Sequence, residues 1–202
     1  MKSNFTGTGS KGEVKFMANN IFGLTALLPN QAEVFSLLNS FKEAHTFYSF
    51  MYIQARQFRS NNCSSIMLGL QELPDELGNI FGKYYGNTVG NHISKSMARH
   101  YDLFTDYVNS FCNENQKTEK LYSAILEDSD KFAEFLVSLN PYWKEMELRA
   151  MLSQEIKILS TLIKNNSMAN YDSVIFYYSI YAQIISDISA YISIGIIRQF
   201  SI

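Results

Sequence analysis

The sequence contains LGNIFGKYYGNTVGNHISKSMARHYDLFTDYV at Leu77–Val108, and FAEFLVSLNPYWKEMELRAMLSQEIKILSTLI at Phe132–Ile163 aligns with it without a gap, 55 residues later. Apolar residues of one segment align with apolar residues of the other; Phe81, for example, aligns with Leu136. A shared apolar register of this length is typical of one helical unit used twice, with the same face of each copy turned toward a common core. The sequence therefore predicts an all-α protein with an internal 55-residue repeat.

Helical spacing of apolar residues continues outside the repeat and predicts four long helices, at about 31–58, 89–111, 144–163 and 172–199. Short helices are expected ahead of two of them, one starting at Pro74 and one capped by Ser129. Strand signals are nearly absent. An up-down four-helix bundle with short accessory helices is the simplest fold that buries four such apolar faces.

Composition defines the broad class of the protein. The chain has 202 residues, of which 47% are hydrophobic and 18% charged, so it is long enough for one globular domain. We expect a flexible N-terminal tail over 1–30, which is polar and glycine-rich at its start, and a single bundle domain over 31–202. The net charge is −2 with both signs interspersed, which argues against a nucleic-acid partner.

Localisation is predicted from the absence of targeting signals. The first residues contain no apolar leader segment, and Cys63 and Cys112 lack a metal-type spacing, so we expect a cytoplasmic protein with free thiols. The apolar segment Val174–Ile197 is long enough to cross a bilayer, but it carries Gln183 and Asp187 near its middle. We interpret it as a buried bundle helix, with a membrane anchor as the alternative.

Each predicted long helix carries one ligand-capable residue on its apolar face near mid-length: His45, His100, Glu155 and Asp187. Imidazoles and carboxylates that project inward from facing helices are the usual ligands of metal sites in bundles. These four residues are therefore predicted to hold a divalent transition metal, with zinc, manganese and iron all compatible. The alternative is a structural layer in which the same side chains bond to one another or to tyrosine hydroxyls, of which the chain has 13.

Several motifs resemble a family of small uncharacterised helical proteins from clostridia and bacilli. The most specific are Asn140–Trp143 (NPYW) and Gly195–Phe200 (GIIRQF), and the resemblance extends over most of the chain from Phe41 onward. Some members carry an acetylglutamate-kinase label, but such a kinase needs an α/β sheet and glycine-rich loops, and this sequence predicts neither. The resemblance implies a Gram-positive bacterial source and a helical fold, and it brings no established activity.

The family pattern places a histidine on each of the first three long helices, and a histidine and an aspartate on the last. His45, His100 and Asp187 match this pattern, whereas Glu155 and Tyr181 stand where histidine is usual. Phe50 stands where the family has an arginine after the first histidine. The resemblance thus implies a site at the same residues, with departures at three positions.

Two functions follow from these observations. The first is binding of a metal ion or a small ligand in the bundle core. The second is a non-catalytic interaction or stress-associated role in which the buried polar layer only fixes helix register. No motif predicts a reaction or a cofactor-binding loop. The sequence leaves open whether the protein forms a homodimer, and it does not specify a protein partner.

Overall fold

The computed structural model describes residues 27–112 and 117–202, and these residues form six helices. They are α1 (Pro29–Gln57), α2 (Cys63–Tyr85), α3 (Asn87–Cys112), α4 (Thr118–Leu139), α5 (Glu145–Ser167) and α6 (Tyr171–Phe200). Within those two ranges there is no strand. The all-α prediction is therefore confirmed.

The helices are arranged in a ring. Each one packs against the helix before and after it in the sequence, and α6 closes the ring against α1. Additional contacts cross the ring between α1 and α3, α1 and α5, and α3 and α5. The three odd-numbered helices therefore meet at the centre, where the buried side chains of the core lie between them.

The expectation of four long helices is not confirmed, because the predicted short helices belong to longer ones. Helix α2 begins at Cys63 and continues through Pro74, which is buried, so Pro74 does not start the helix. Helix α4 continues through Ser129, which is buried and donates from Oγ to the carbonyl oxygen of Leu126 within the same helix. A side chain that bonds its own helix in this way is not an N-cap.

The first long helix begins close to its predicted start at about residue 31. Helix α1 begins at Pro29. Proline suits the first helical position because it has no backbone N–H that would need an acceptor there. The Leu28 N–H donates to Oε1 of Gln31 at 3.2 Å, which satisfies one of the free donors at this helix end. Of the predicted N-terminal tail, 1–26 lie outside the described residues.

Glycine allows α2 and α3 to turn sharply and pack closely. Gly86, with φ of +88°, forms the corner between them. Further along, a Cβ at Gly90 would lie 2.6 Å from the carbonyl oxygen of Gly78, a distance that a larger residue does not tolerate. The two helix backbones are therefore in direct contact beside their connection.

The NPYW and GIIRQF motifs lie against each other. The indole of Trp143 is 2% exposed and occupies the space that a side chain at Gly195 would fill. Asn140 Nδ2 donates to Oη of Tyr85 at 2.9 Å, and that hydroxyl donates to Oε1 of Gln199 at 2.9 Å. This cluster fixes the corner between α4 and α5 to the end of α6. The motifs that carry the family resemblance thus have a packing role.

Helix α6 is the one helix of the described residues that is long and apolar enough to cross a membrane by length and composition alone. It packs against α5 and α1, and 39% of its most apolar 18-residue window is buried inside the protein. Soluble proteins contain core helices of the same kind. Cytoplasmic localisation stays a prediction.

The 55-residue offset aligns the end of α2 and most of α3 with the end of α4 and most of α5. Aligned residues are buried together, as Ile93 is with Leu148 and Val108 with Ile163. The internal repeat is not confirmed as a structural unit by this shared burial alone.

Replacing Gly195 with alanine should destabilise the fold. A Cβ at this position overlaps the Trp143 indole, and overpacking of this kind typically costs about 1–3 kcal/mol. Gly82→Ala is the matched control, because it also lies in a helix but its Cβ would meet its neighbours at 3.8 Å or more. The control should be neutral or up to about 1 kcal/mol stabilising through helix propensity. Urea unfolding measures both, and equal stabilities would contradict the packing of Trp143 on Gly195.

Candidate functional site

His45 on α1 lies at the centre of the ring, and both of its ring nitrogens are hydrogen-bonded. Nδ1 is 2.6 Å from Oη of Tyr101 on α3, and Nε2 is 2.9 Å from Oη of Tyr181 on α6. A tyrosine hydroxyl both donates and accepts, so either tautomer of the neutral imidazole keeps two hydrogen bonds. His45 therefore connects three helices.

The two tyrosines remain protonated around neutral pH. Burial raises the pKa of both hydroxyls well above the ordinary value, and the negative charge of Glu155 raises them further. Each hydroxyl is consequently able to donate a hydrogen bond to the imidazole or to a neighbouring oxygen. Nothing in this arrangement favours a tyrosinate.

Glu155 on α5 is a buried carboxylate with unused hydrogen-bonding capacity. Its side chain is 8% exposed, and Oε1 lies 3.5 Å from Nε2 of His45. That distance is longer than a normal N–H···O hydrogen bond. No donor in the described part of the chain makes a hydrogen bond to this carboxylate. A carboxylate can accept several, so Glu155 is the least satisfied polar group at the centre.

His100 on α3 lies beside a second buried acid, Asp128 on α4. Nδ1 of His100 is 3.8 Å from Oδ2 of Asp128, and Oδ1 of the same carboxylate forms an ion pair with Nε of Arg99 at 2.9 Å. The Arg99 side chain is 56% exposed, whereas Asp128 is 8% exposed. The ion pair therefore runs from the surface to the interior.

Burial lowers the pKa of His100. Loss of hydration disfavours the imidazolium and is the largest effect, and His45 acts in the same direction. Glu155 and Asp128 favour the imidazolium, but they do not outweigh burial. His100 is accordingly a neutral imidazole at neutral pH, with a nitrogen lone pair and one N–H donor.

The side chains of His45, His100, Asp128 and Glu155 line a cavity of about 100 Å³. Its other polar lining residues are Lys42, Ser96, Ser129 and Ser189. The rest of the wall is apolar and includes the rings of Phe41, Phe81 and Phe132 together with leucine, isoleucine and methionine side chains. Such a volume holds several waters or a molecule of about the size of benzene.

The structure brings together three of the four residues predicted from sequence. His45, His100 and Glu155 all line the cavity, while Asp187 does not. Asp187 is half-buried and accepts from Nε2 of Gln183 at 2.9 Å along the same helix. In the two ranges described, no group of three or more His, Cys, Asp and Glu side chains could hold a metal ion. The metal site stays a prediction.

Sequence reasoning missed Asp128 and Tyr101, and it gave Tyr181 only as a departure from the family pattern. Tyr181 lies on the face of α6 that also carries Ile185, Ile188 and Ile192, which line the cavity. Helix α6 is apolar on nearly all sides, so the spacing of its residues did not indicate which face points inward. Asp128 was missed because the neighbouring Ser129 was interpreted as a helix cap.

A regular spacing links the three central residues. His45, His100 and Glu155 follow one another at intervals of 55 residues, and the helices that carry them end at Gln57, Cys112 and Ser167, at the same interval. The 55-residue offset of the sequence alignment therefore also relates α1 to α3. The spacing of His45 and His100 gives this relation in the sequence itself.

No family model matches the chain, and neither a curated protein nor a solved structure shows significant similarity to it. The family resemblance stays a prediction.

Removing the Tyr101 hydroxyl should destabilise the protein. Tyr101→Phe leaves Nδ1 of His45 buried without its partner, and an unsatisfied buried polar group costs about 1–3 kcal/mol. Tyr142→Phe makes the same chemical change at a 48% exposed position and should stay within about 0.5 kcal/mol of wild type. Urea unfolding compares them, and similar losses in both variants would disprove the buried hydrogen bond.

His100 should make stability fall at mildly acidic pH. The unfolded chain takes up a proton on His100 near pH 6.5, while the folded protein does so only at lower pH because its pKa is lowered. Protonation therefore favours the unfolded state as the pH falls below about 6.5, and the contribution vanishes above that value. His100→Gln should flatten the stability profile between about pH 7 and pH 5.5, relative to wild type.

The exposed histidine His92 is the control for this measurement. His92→Gln replaces a histidine that is exposed to solvent, and it should leave the slope of stability against pH unchanged. A flattened profile in His92→Gln, or an unchanged one in His100→Gln, would refute the assignment.

Proposed function

We propose that this protein binds a small organic molecule in the cavity at the centre of the ring, with His45, His100 and Glu155 as the polar groups that orient it. The observation that carries the proposal is a buried carboxylate without a hydrogen bond, facing a cavity whose wall is otherwise mostly apolar. Ligand sites are typically apolar cavities with a few convergent polar groups.

The presence of the cavity supports this proposal. Protein interiors are packed nearly as densely as organic crystals, and voids larger than a water molecule are few. The cavity here occupies about 100 Å³ between helices from every part of the ring. A layer of polar side chains that served only to fix helix register would gain from closing that space.

We further propose that α1–α2, α3–α4 and α5–α6 are three copies of one helix pair. The common ends of the odd-numbered helices and the 55-residue spacing of the central residues support this. Burial supports it too, since Leu38, Ile93 and Leu148 are each at most 3% exposed at corresponding positions. On this view the ligand lies near the axis that relates the copies.

Two alternatives from the sequence remain as outcomes of the test. A metal held by His45, His100 and Glu155, with or without Asp187, is the first. A structural polar layer in a protein with an interaction or stress-associated role is the second. We also propose that the protein resides in the cytoplasm and has no nucleic-acid partner. In this proposal α6 is a core helix, because its Tyr181 contacts His45.

Filling the cavity should abolish ligand binding. Untagged protein is titrated with benzyl alcohol, benzylamine and benzoate, and thermal unfolding is followed in each titration. At least one probe should raise the melting temperature of the wild type, because a ligand that binds only the folded state stabilises it. Ser189→Leu adds an apolar side chain to the cavity lining and should remove this effect.

Ser186→Leu is the matched control, because Ser186 lies one turn earlier on α6 outside the lining and is also half-buried. It should keep the response. A wild type that no probe stabilises, or a Ser189→Leu variant that responds like wild type, would overturn the proposal. Elemental analysis of the same samples checks the metal alternative: one equivalent of zinc, manganese or iron, lost in the His45→Ala/His100→Ala variant, would support it.

A further inference from the structure

We infer that the ligand is a small organic cation: a protonated amine attached to an apolar group of about the size of benzene. This inference rests on the proposed function and specifies the chemical class that the cavity selects. It follows from the charges that face the cavity, from the neutral state of His100 and from the composition of the wall.

Glu155 provides the recognition of the cation. Its carboxylate is buried and makes no hydrogen bond with the described residues, and its Oε1 lies 3.5 Å from Nε2 of His45. A buried carboxylate that has only this long contact with an imidazole is poorly satisfied, and an ammonium group supplies it with both charge and N–H donors. A neutral hydroxyl would supply one donor and no charge.

The second acid adds to the same preference. Asp128 also lines the cavity, and its Oδ1 is paired with Arg99, whose side chain lies mainly at the surface. The other oxygen, Oδ2, is 3.8 Å from His100 and makes no hydrogen bond within the described ranges. Two carboxylates therefore face the cavity, and the one arginine paired with them approaches from outside.

The second histidine of the cavity, His100, does not offset this negative charge. His100 is neutral because burial lowers its pKa, and the two nitrogens of His45 are engaged by tyrosine hydroxyls. Lys42 is the one cationic side chain among the lining residues, and it is half-buried. An anionic ligand would meet Lys42 alone and would be repelled by two carboxylates.

The aromatic part of the wall favours a cation as well. Phe41, Phe81 and Phe132 line the cavity, and ring faces attract an ammonium group, more strongly where water is excluded. The remaining apolar wall accommodates a hydrocarbon group. The volume limits that group to about the size of a benzene ring.

Three probes of nearly equal shape separate charge from size: benzylamine, benzyl alcohol and benzoate, measured by isothermal titration at pH 7.5. Benzylamine should bind about tenfold or more tightly than benzyl alcohol, the difference expected for a hydrogen bond to a charged group. Benzoate should bind most weakly. Butylamine, 1-butanol and butyrate repeat the comparison with a smaller apolar group.

Glu155→Gln should reduce benzylamine affinity about tenfold or more and leave benzyl alcohol affinity within about twofold. Asp187→Asn is the matched control, because it removes an acidic group on α6 that lies outside the cavity, and it should change neither affinity. Circular dichroism and thermal unfolding establish that both variants fold. If Glu155→Gln does not fold, Glu155→Asp, which keeps the charge but shortens its reach, takes its place and should weaken benzylamine alone.

The outcomes distinguish this inference from the proposed function. If benzyl alcohol or benzoate binds at least as tightly as benzylamine, the inference that the ligand is a cation is overturned, while the cavity remains a ligand site. Benzylamine binding that survives in Glu155→Gln would also overturn it. If none of the probes binds, both the inference of a cationic ligand and the proposed function are overturned.

Discussion

The hydrogen bonds of His45 to Tyr101 and Tyr181 are the constraint on which the rest of the structure depends. They join α1, α3 and α6, which are far apart in the sequence, at one point inside the ring. Apolar packing tolerates small shifts of one helix along another, but a buried polar pair does not, because a lost partner costs about 1–3 kcal/mol. The imidazole therefore fixes the relative heights of three helices.

The polar centre has an energetic cost that the protein does not fully offset. His45 is satisfied by two tyrosines and Asp128 by an arginine, but Glu155 has no comparable partner within the described residues. Core groups left in this state are rare, and they are often found where a ligand completes the hydrogen bonding. The contrast between His45 and Glu155 supports the proposal that Glu155 binds a ligand, while the hydrogen bonds of His45 join three helices.

The sequence predicted the helical class, and three of the four proposed site residues line one cavity. On α1, α3 and α5 the sequence identifies the residue that lines the cavity, because on those helices a polar residue interrupts an apolar face. On α6 it does not, because apolar residues surround the helix and Asp187 could not be distinguished from an inward-facing residue. The six-helix ring was missed for a local reason: Pro74 and Ser129 usually mark helix starts, but here the helices continue through them. Tertiary packing overrides such local preferences.

The ring also determines the order in which the chain can fold. Five of its six helix interfaces join consecutive helices and need only short loops, whereas the interface of α6 with α1 joins the two ends of the described chain. Local contacts form quickly, so this closure is the slow, entropically costly step. Trp143, the one tryptophan of the chain, packs on Gly195 of α6. Its fluorescence therefore reports when the end of α6 docks on the corner between α4 and α5, and the central cavity, which α6 also lines, is complete only with α6 in place.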